Sequence, residues 1–243
     1  MSQAAEPAFA YRPLYVQVKD RLVRRLIDGA WLPGQLIPSE MELAREIGVS
    51  QGTIRKALDA MTGENLLVRR QGRGTYVAEP EESRILFQFF RLVGDDGERA
   101  FPTSRILSRA TGRATPDERE RLQLGEANRV VRIERVRNLG GRPLIVETIS
   151  LPHERFSAIE AMTEIPNNVY RLYSQSWGVT IARAVERLKA IAAAPADARE
   201  LGCKAGAPLL EVGRVAYDLE GNPVELRVSR CLTDGIHYAS ELR

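Results

Sequence analysis

"SEMELAREIGVSQGTIRKALDAM" (residues 39–61) decides how this chain is read. It breaks into two short amphipathic helices at Gly48-Val49-Ser50. Ser39 and Glu42 have the spacing of a capping box, in which each side chain satisfies the other's backbone amide. Leu43, Ala44 and Ile47 form one apolar face, and Gly48 stops the helix. Ser50 caps a second helix whose inner face is Ile54, Ala57, Leu58 and Met61. A helix, a short turn with glycine and a second helix make a helix-turn-helix.

The flanks fit that reading. "LYVQVKDRLVRRLIDG" (residues 14–29) carries Val18, Leu22 and Leu26 at helical period and ends at Gly29. "WLPGQLIP" (residues 31–38) reads as a turn. After the pair, Leu66–Arg69 and Thr75–Val77 are β-type runs around the basic loop "RQGRG". That is a wing. Residues 1–11 read as a disordered tail and 12–78 as a winged helix-turn-helix. Residues 79–84, "EPEESR", read as a linker, leaving 85–243 as a second domain.

The second domain contains an internal repeat at an offset of 80. "TPDERERLQLGEANRVVRIERVRNLGGRPLIVETISL" (115–151) is matched by "APADARELGCKAGAPLLEVGRVAYDLEGNPVELRVSRC" (194–231). Each copy predicts a short helix opening at a proline, a strand, a turn ending in Gly-x-Pro and a second strand. A duplicated helix-plus-hairpin implies one antiparallel sheet in two related halves. "AIEAMTE" (158–164) and "VYRLYSQSW" (169–177), between the copies, predict helices.

Bulk properties narrow the function. The 243 residues are 44% hydrophobic and 28% charged, as in a globular protein of two ordinary domains. No apolar run approaches the ~18 residues that cross a bilayer, and the N-terminus lacks a signal-peptide pattern. The expected location is the cytoplasm. Cys203 and Cys231 are expected to be buried free thiols. His153 and His237 neighbour no ligand cluster, so neither a metal nor a cofactor is expected. The net charge is +3. The surplus lies in residues 1–78, with 11 Lys and Arg against 8 Asp and Glu, and the rest is balanced. That asymmetry points to a polyanion partner for the first domain.

A recognition helix shows polar side chains at its N-terminal end, away from the core. Here these are Ser50, Gln51, Gly52, Thr53, Arg55 and Lys56. Ser50 and Thr53 suit phosphates, and Arg55 suits a phosphate or a guanine edge. Gly52 permits close backbone approach. Arg69, Arg70 and Arg73 on the wing suit phosphates or the minor groove. Ser39, Gly72, Gly74 and Thr75 complete the candidate DNA-binding set.

"PGQLIPSEMELAREIGVSQGTIRKAL" followed by "RRQGRGTYV" resembles the winged helix-turn-helix of the GntR superfamily of bacterial transcription regulators. The likeness covers about residues 12–78. It implies that Ser50, Gln51, Thr53, Arg55 and Gly72 touch operator DNA. The family usually has arginine where Met41 and Gln51 stand. Gln51 suits adenine rather than guanine.

Around "RIERVRNLGGRPLIVETISLP" (132–152), the second domain resembles UTRA, the effector-binding module of the HutC-like branch, whose fold is similar to chorismate lyase. The fold class expected is therefore α+β. Strand parity supplies an independent observation. Val131 and Ile133 share a face with Arg135 and Arg137. Ile145, Ile149 and Leu151 share a face with Glu147. Charge on an apolar face must pair or meet a ligand. A structural Arg–Glu pair at a sheet edge is one reading, and a ligand site the other. The resemblance favours the ligand site, with Arg135, Arg137 and Glu147 lining it. Two arginines suit a phosphate or carboxylate, and Glu147 suits hydroxyls. Phe89, Phe90 and Arg91 in "FQFFRL" (87–92) are candidates to close over a ligand, and Tyr170 is a further candidate contact.

Three functions compete. A regulator, expected to be a repressor, would bind an inverted-repeat operator as a homodimer under control of a small anionic metabolite. A lyase-type enzyme with an attached helix-turn-helix would need a nucleophile–base constellation, and the sequence offers none. A non-specific architectural DNA binder would carry excess charge throughout. The first reading fits best, with no membrane partner.

Overall fold

The computed structural model describes residues 12–79, 90–97, 102–125 and 128–240. The expected tail at 1–11, most of the expected linker and Phe89 lie outside the described residues. The chain divides into two compact units, Met1–Glu79 and Pro80–Arg243.

In the first unit, α1 (Leu14–Ile27) buries Val18 and Leu22 and packs on α3. α2 (Glu40–Ile47) begins at the predicted capping box. Ser39 Oγ accepts from the Glu42 amide at 3.3 Å, and Glu42 Oε2 accepts from the Ser39 amide at 2.8 Å. Such a cap stabilises a helix by about 1 kcal/mol. Gly48 ends α2 at φ +80°, a conformation open to glycine. α3 (Gln51–Gly63) is capped by Ser50, which accepts from the Thr53 amide, and buries Ile54, Ala57, Leu58 and Met61.

β1 (Leu67–Arg70) and β2 (Gly74–Val77) form the wing hairpin, pairing Leu67 with Val77 and Arg70 with Gly74. The chain at Gln35–Ile37 runs along β2's free side, where the Ile37 amide donates to the Thr75 carbonyl at 2.9 Å. Gly74 sits at φ +100°, and a Cβ there would lie 2.8 Å from Leu36 Cδ1. A side chain at this loop end of the wing would be strained by the positive φ and would have to displace the exposed Leu36 side chain.

The second unit is built on six antiparallel strands: β4 (Thr103–Arg113), β5 (Arg129–Leu139), β6 (Arg142–Pro152), β7 (Ile181–Ala192), β8 (Pro208–Asp218) and β9 (Pro223–Cys231). Their order in the sheet is β4-β5-β6-β9-β8-β7. Each half is a strand, a short helix and a hairpin. The helices are α4 (Pro116–Arg121) and α7 (Pro195–Leu201). The halves meet where β6 pairs with β9, and Thr148 there faces Val228, its equivalent in the repeat. Two flanking strands, β3 (Leu92–Gly94) and β10 (Ile236–Tyr238), pair with each other, and among the described residues with no other strand.

The sheet has two differently covered faces. On one, α5 (His153–Phe156), the 3-10 turn Ser157–Ala161 and α6 (Val169–Trp177) pack over Val131, Ile133, Ile149, Leu151, Ala216 and Val224. "AIEAMTE" is therefore only partly helical, as a 3-10 turn. Further along the same face, Leu92 of β3 and Ile236 of β10 join Ile145, Val212 and Cys231. Between these covers, strand parity places a band of charged residues. On the opposite face, α4 packs near Val130, Val215 and Leu226, where Glu118 holds Arg132 and accepts from Ser150 at 2.7 Å. Both cysteines are free; Cys231 is buried, whereas Cys203 is only half-buried because it lies in the turn after α7.

Candidate functional site

The N-terminal turn of α3 presents Gln51, Gly52, Arg55 and Lys56 to solvent, with Thr53 half-buried. Capping explains the difference, since Ser50 Oγ bonds both the Thr53 amide and its Oγ1, the latter at 2.9 Å. Ser39 is exposed but spends its hydroxyl on Glu42 Oε2 at 2.8 Å. On the wing, Arg70, Gly72, Arg73 and Gly74 are exposed and Thr75 is half-buried. Arg70 stacks over the Tyr76 ring at 4.6 Å, which stiffens one wing cation.

Glu40, at the first position of α2, meets this surface. Its Oε2 accepts from Arg55 Nε at 3.0 Å and from Gln51 Nε2 at 3.3 Å. Its Oε1 lies 3.4 Å from Arg69 Nη2. The Arg55 hydrogen bond above all holds the Glu40 carboxyl below its usual range, against the opposing effect of burial. Sequence reading had not singled out Glu40, which looks like an ordinary acidic residue in a helix's first turn.

In the second unit, the charged band crosses four strands. Arg135 and Arg137 come from β5, Glu147 from β6, Glu225, Arg227 and Ser229 from β9, and Arg214 from β8. Arg135 donates to Glu147 Oε2 at 2.5 Å and to the Asn167 carbonyl at 3.1 Å. Ser229 donates to Glu147 Oε1 at 2.9 Å. Arg137 and Arg227 each approach Glu147 at 3.8 Å. Arg227 pairs with Glu225, which also accepts from Tyr170 at 3.1 Å and Tyr173 at 2.8 Å. Arg214 pairs with Glu186 of β7 at 2.6 Å.

Four buried guanidiniums thus meet three carboxylates, and the band carries net positive charge. Glu147 shows the balance. Burial alone would raise its carboxyl, but Arg135, Arg227 and Arg137 hold it below the usual carboxylate range. Arg137 shows the excess. Burial pushes its guanidinium down to about 9, Glu147 opposes this, and the neighbouring arginines add to it.

The band opens on a cavity of about 30 Å³ whose walls include Phe90, Arg91, Arg137, Glu147, Arg227 and Ser229. That is room for about two waters. Arg91, Glu186, Arg214 and Tyr238 line both it and a second cavity of about 310 Å³, whose lining also includes Arg183 and Ser240. Tyr238 donates to Glu186, which also accepts from Arg214. Phe90 lies under the Arg137 guanidinium at 5.2 Å.

Of the six sequence-predicted residues, Phe90, Arg91, Arg137 and Glu147 are brought together around the inner cavity. Arg135 and Tyr170 are buried behind it, holding Glu147 and Glu225. Arg214, Arg227 and Ser229 also line it, and sequence reading missed them. The parity argument used for the first copy, applied to "VELRVSRC" (224–231), would have found Arg227 and Ser229 on one face. Among the described residues no group of three or more His, Cys, Asp or Glu is placed to hold a metal ion.

A winged helix-turn-helix joined to a duplicated-sheet domain with a charged interior cavity defines a DNA-binding transcription regulator with a separate sensory domain. Comparison with known proteins sharpens this. Residues 14–77 match the model of bacterial regulatory proteins of the gntR family, and residues 98–237 match the UTRA domain. The chain is 29% identical to the HTH-type transcriptional repressor NagR of Bacillus subtilis, over 95% of this chain and 96% of that one. It is 31% identical to the histidine utilization repressor of Pseudomonas putida, over 83% and 81%. A Bordetella bronchiseptica ligand-binding domain assigned to the GntR family superposes with a TM-score of 0.56 at 33% identity, covering 63% of this chain and 96% of that domain. PhnF of Mycobacterium smegmatis shares the fold over 93% of this chain and 99% of its own, with a TM-score of 0.55 at 24% identity. The chain belongs to the GntR family, in the HutC-like branch that carries a UTRA domain. No helix among the described residues is long and apolar enough to cross a membrane.

Proposed function

We propose that this protein is a repressor that binds an inverted-repeat operator as a homodimer and answers to a small anionic metabolite. The observation that carries the ligand class is the net positive charge of the buried band where it opens on the inner cavity. A phosphate or carboxylate entering there would neutralise that excess while accepting from Arg137, since the Ser229 hydroxyl already donates to Glu147. The rest of the ligand would occupy the larger cavity beyond Glu186 and Tyr238. The named repressors among the relatives support the sign of regulation.

On the DNA side, Ser50 and Thr53 suit phosphates, Gln51 and Arg55 suit base edges, and Arg70, Gly72, Arg73 and Thr75 bring the wing to the backbone. Two recognition helices in a dimer would meet half-sites about one helical turn apart. The effector changes DNA affinity only if it prefers one arrangement of the two units.

A thermal-shift screen of phosphorylated and carboxylated metabolites tests this reading, since a ligand that binds the native state raises its stability by mass action. A hit should release DNA in a gel shift, and Arg137→Met should lose that response. Stabilisation only by cationic or neutral compounds would refute the assigned ligand class.

A further inference from the structure

One carboxylate ties together three elements of the DNA-facing surface. Glu40 stands on α2, Gln51 and Arg55 on α3, and Arg69 on β1. Its Oε2 takes Arg55 Nε at 3.0 Å, Arg55 Nη2 at 2.9 Å and Gln51 Nε2 at 3.3 Å, while its Oε1 takes Arg69 Nη2 at 3.4 Å. The Glu40 side chain is 23% exposed, less than the Arg55 and Arg69 side chains that it holds. Asp59 gives Arg69 a second partner at 2.7 Å.

We infer that Glu40 is a positioning residue for base reading, setting the Gln51 amide and the Arg55 guanidinium before DNA arrives. This rests on the reading that Gln51 and Arg55 face operator bases. A glutamine amide has two N–H groups and one carbonyl oxygen. Giving one N–H to a carboxylate fixes which end of the amide is nitrogen. The remaining N–H and oxygen are the pair that adenine's N7 and N6 amino group require. A guanidinium held by its Nε edge keeps its other N–H groups for a base or phosphate.

The same carboxylate lowers affinity for DNA in general. It repels phosphates and occupies cations that any duplex would otherwise attract. Glu40 therefore raises discrimination at the expense of non-specific binding, as a repulsive element in a specific interface does.

The full-length chain with Glu40→Gln and with Glu40→Asp tests this. The probes are the duplex that the parent protein selects from a randomised pool and the same duplex with both half-sites scrambled. Glu40→Gln should bind the scrambled duplex several-fold tighter and the selected one no tighter, so that the ratio falls at least several-fold. Glu40→Asp keeps the charge but shortens the arm, and should lower the ratio without tightening the scrambled complex. Thermal unfolding of each variant near the parent's midpoint shows an intact fold; should Glu40→Gln fail this, Glu40→Asp decides. A ratio unchanged from the parent overturns the positioning role. An Arg55→Ala control that leaves selected-duplex affinity intact overturns instead the reading on which it rests.

Discussion

Replacing Glu147 by alanine tests how charge is balanced in the band that crosses the sheet. The carboxylate sits 2.5 Å from Arg135, accepts from Ser229 at 2.9 Å, and lies 3.8 Å from both Arg137 and Arg227. Without it, four buried guanidiniums would face only Glu186 and Glu225. Removing one partner of a buried pair costs about 3–5 kcal/mol, because an uncompensated charge is left behind. For a domain of this size the unfolding midpoint should fall by about 6–20 °C. Arg137→Met is the complementary change. It removes the excess cation, brings the band to charge balance and relieves a guanidinium that burial already disfavours. Its stability should fall far less than that of Glu147→Ala, because Glu147 keeps Arg135 and Arg227 as partners and no buried charge is left uncompensated. Urea unfolding followed by circular dichroism measures both. If Glu147→Ala costs less than about 1 kcal/mol, or Arg137→Met costs as much as Glu147→Ala, the charge-balance reasoning is wrong.

Three further outcomes are expected. Arg55→Ala should weaken binding to the selected duplex by about 1–3 kcal/mol in a gel shift, and unchanged affinity would remove its assigned base contact. Gln51→Arg should move the preference at one half-site position from adenine toward guanine in a binding-site selection, and an unshifted profile would show that this side chain does not read that base. Glu118, held down to about 2 against its own burial by Arg132, the Thr115 amide and Ser150, stabilises the fold above the unfolded carboxylate's pKa near 4.5. Because the folded value is depressed, that stability is lost as pH falls from about 4.5 to 2, by up to about 3 kcal/mol. Glu118→Gln should flatten this part of the pH–stability curve; a curve parallel to the parent's would show that Arg132 does not draw stability from the pair.

The helix-turn-helix was legible because its signals are local. Ser39 with Glu42, Gly48 and Ser50 each act within four residues, and the wing's turn needs only the glycines beside Arg73. The sheet was legible from the repeat, which made the two hairpins recognisable as equivalents. The site was legible only where charge broke an apolar alternation, at Arg135, Arg137 and Glu147. Which guanidinium borders the cavity and which stands behind it depends on how α6 and the β3–β10 pair cover the sheet. That is settled by contacts far apart in sequence, so Arg135 and Arg137 look alike in the chain and differ in the fold. Glu186 and Tyr238 gave no signal at all. One sits on a strand whose polar residues are mostly exposed, and the other lies in a short strand near the chain's end. Glu40 was invisible for the opposite reason: an acidic first turn is what any helix favours.

The pairing of Thr148 with Val228 puts the sheet's approximate dyad between β6 and β9. Glu147 and Arg227 are equivalent positions across that dyad, yet one is an acid and the other a base, 3.8 Å apart. Two identical halves would have set like against like there, acid facing acid or base facing base, and buried repulsion at the centre of the sheet. Divergence of the copies to opposite sign is what lets the centre be charged at all. It also makes the two sides of the dyad electrically different, with the carboxylate on β6 and the guanidinium on β9.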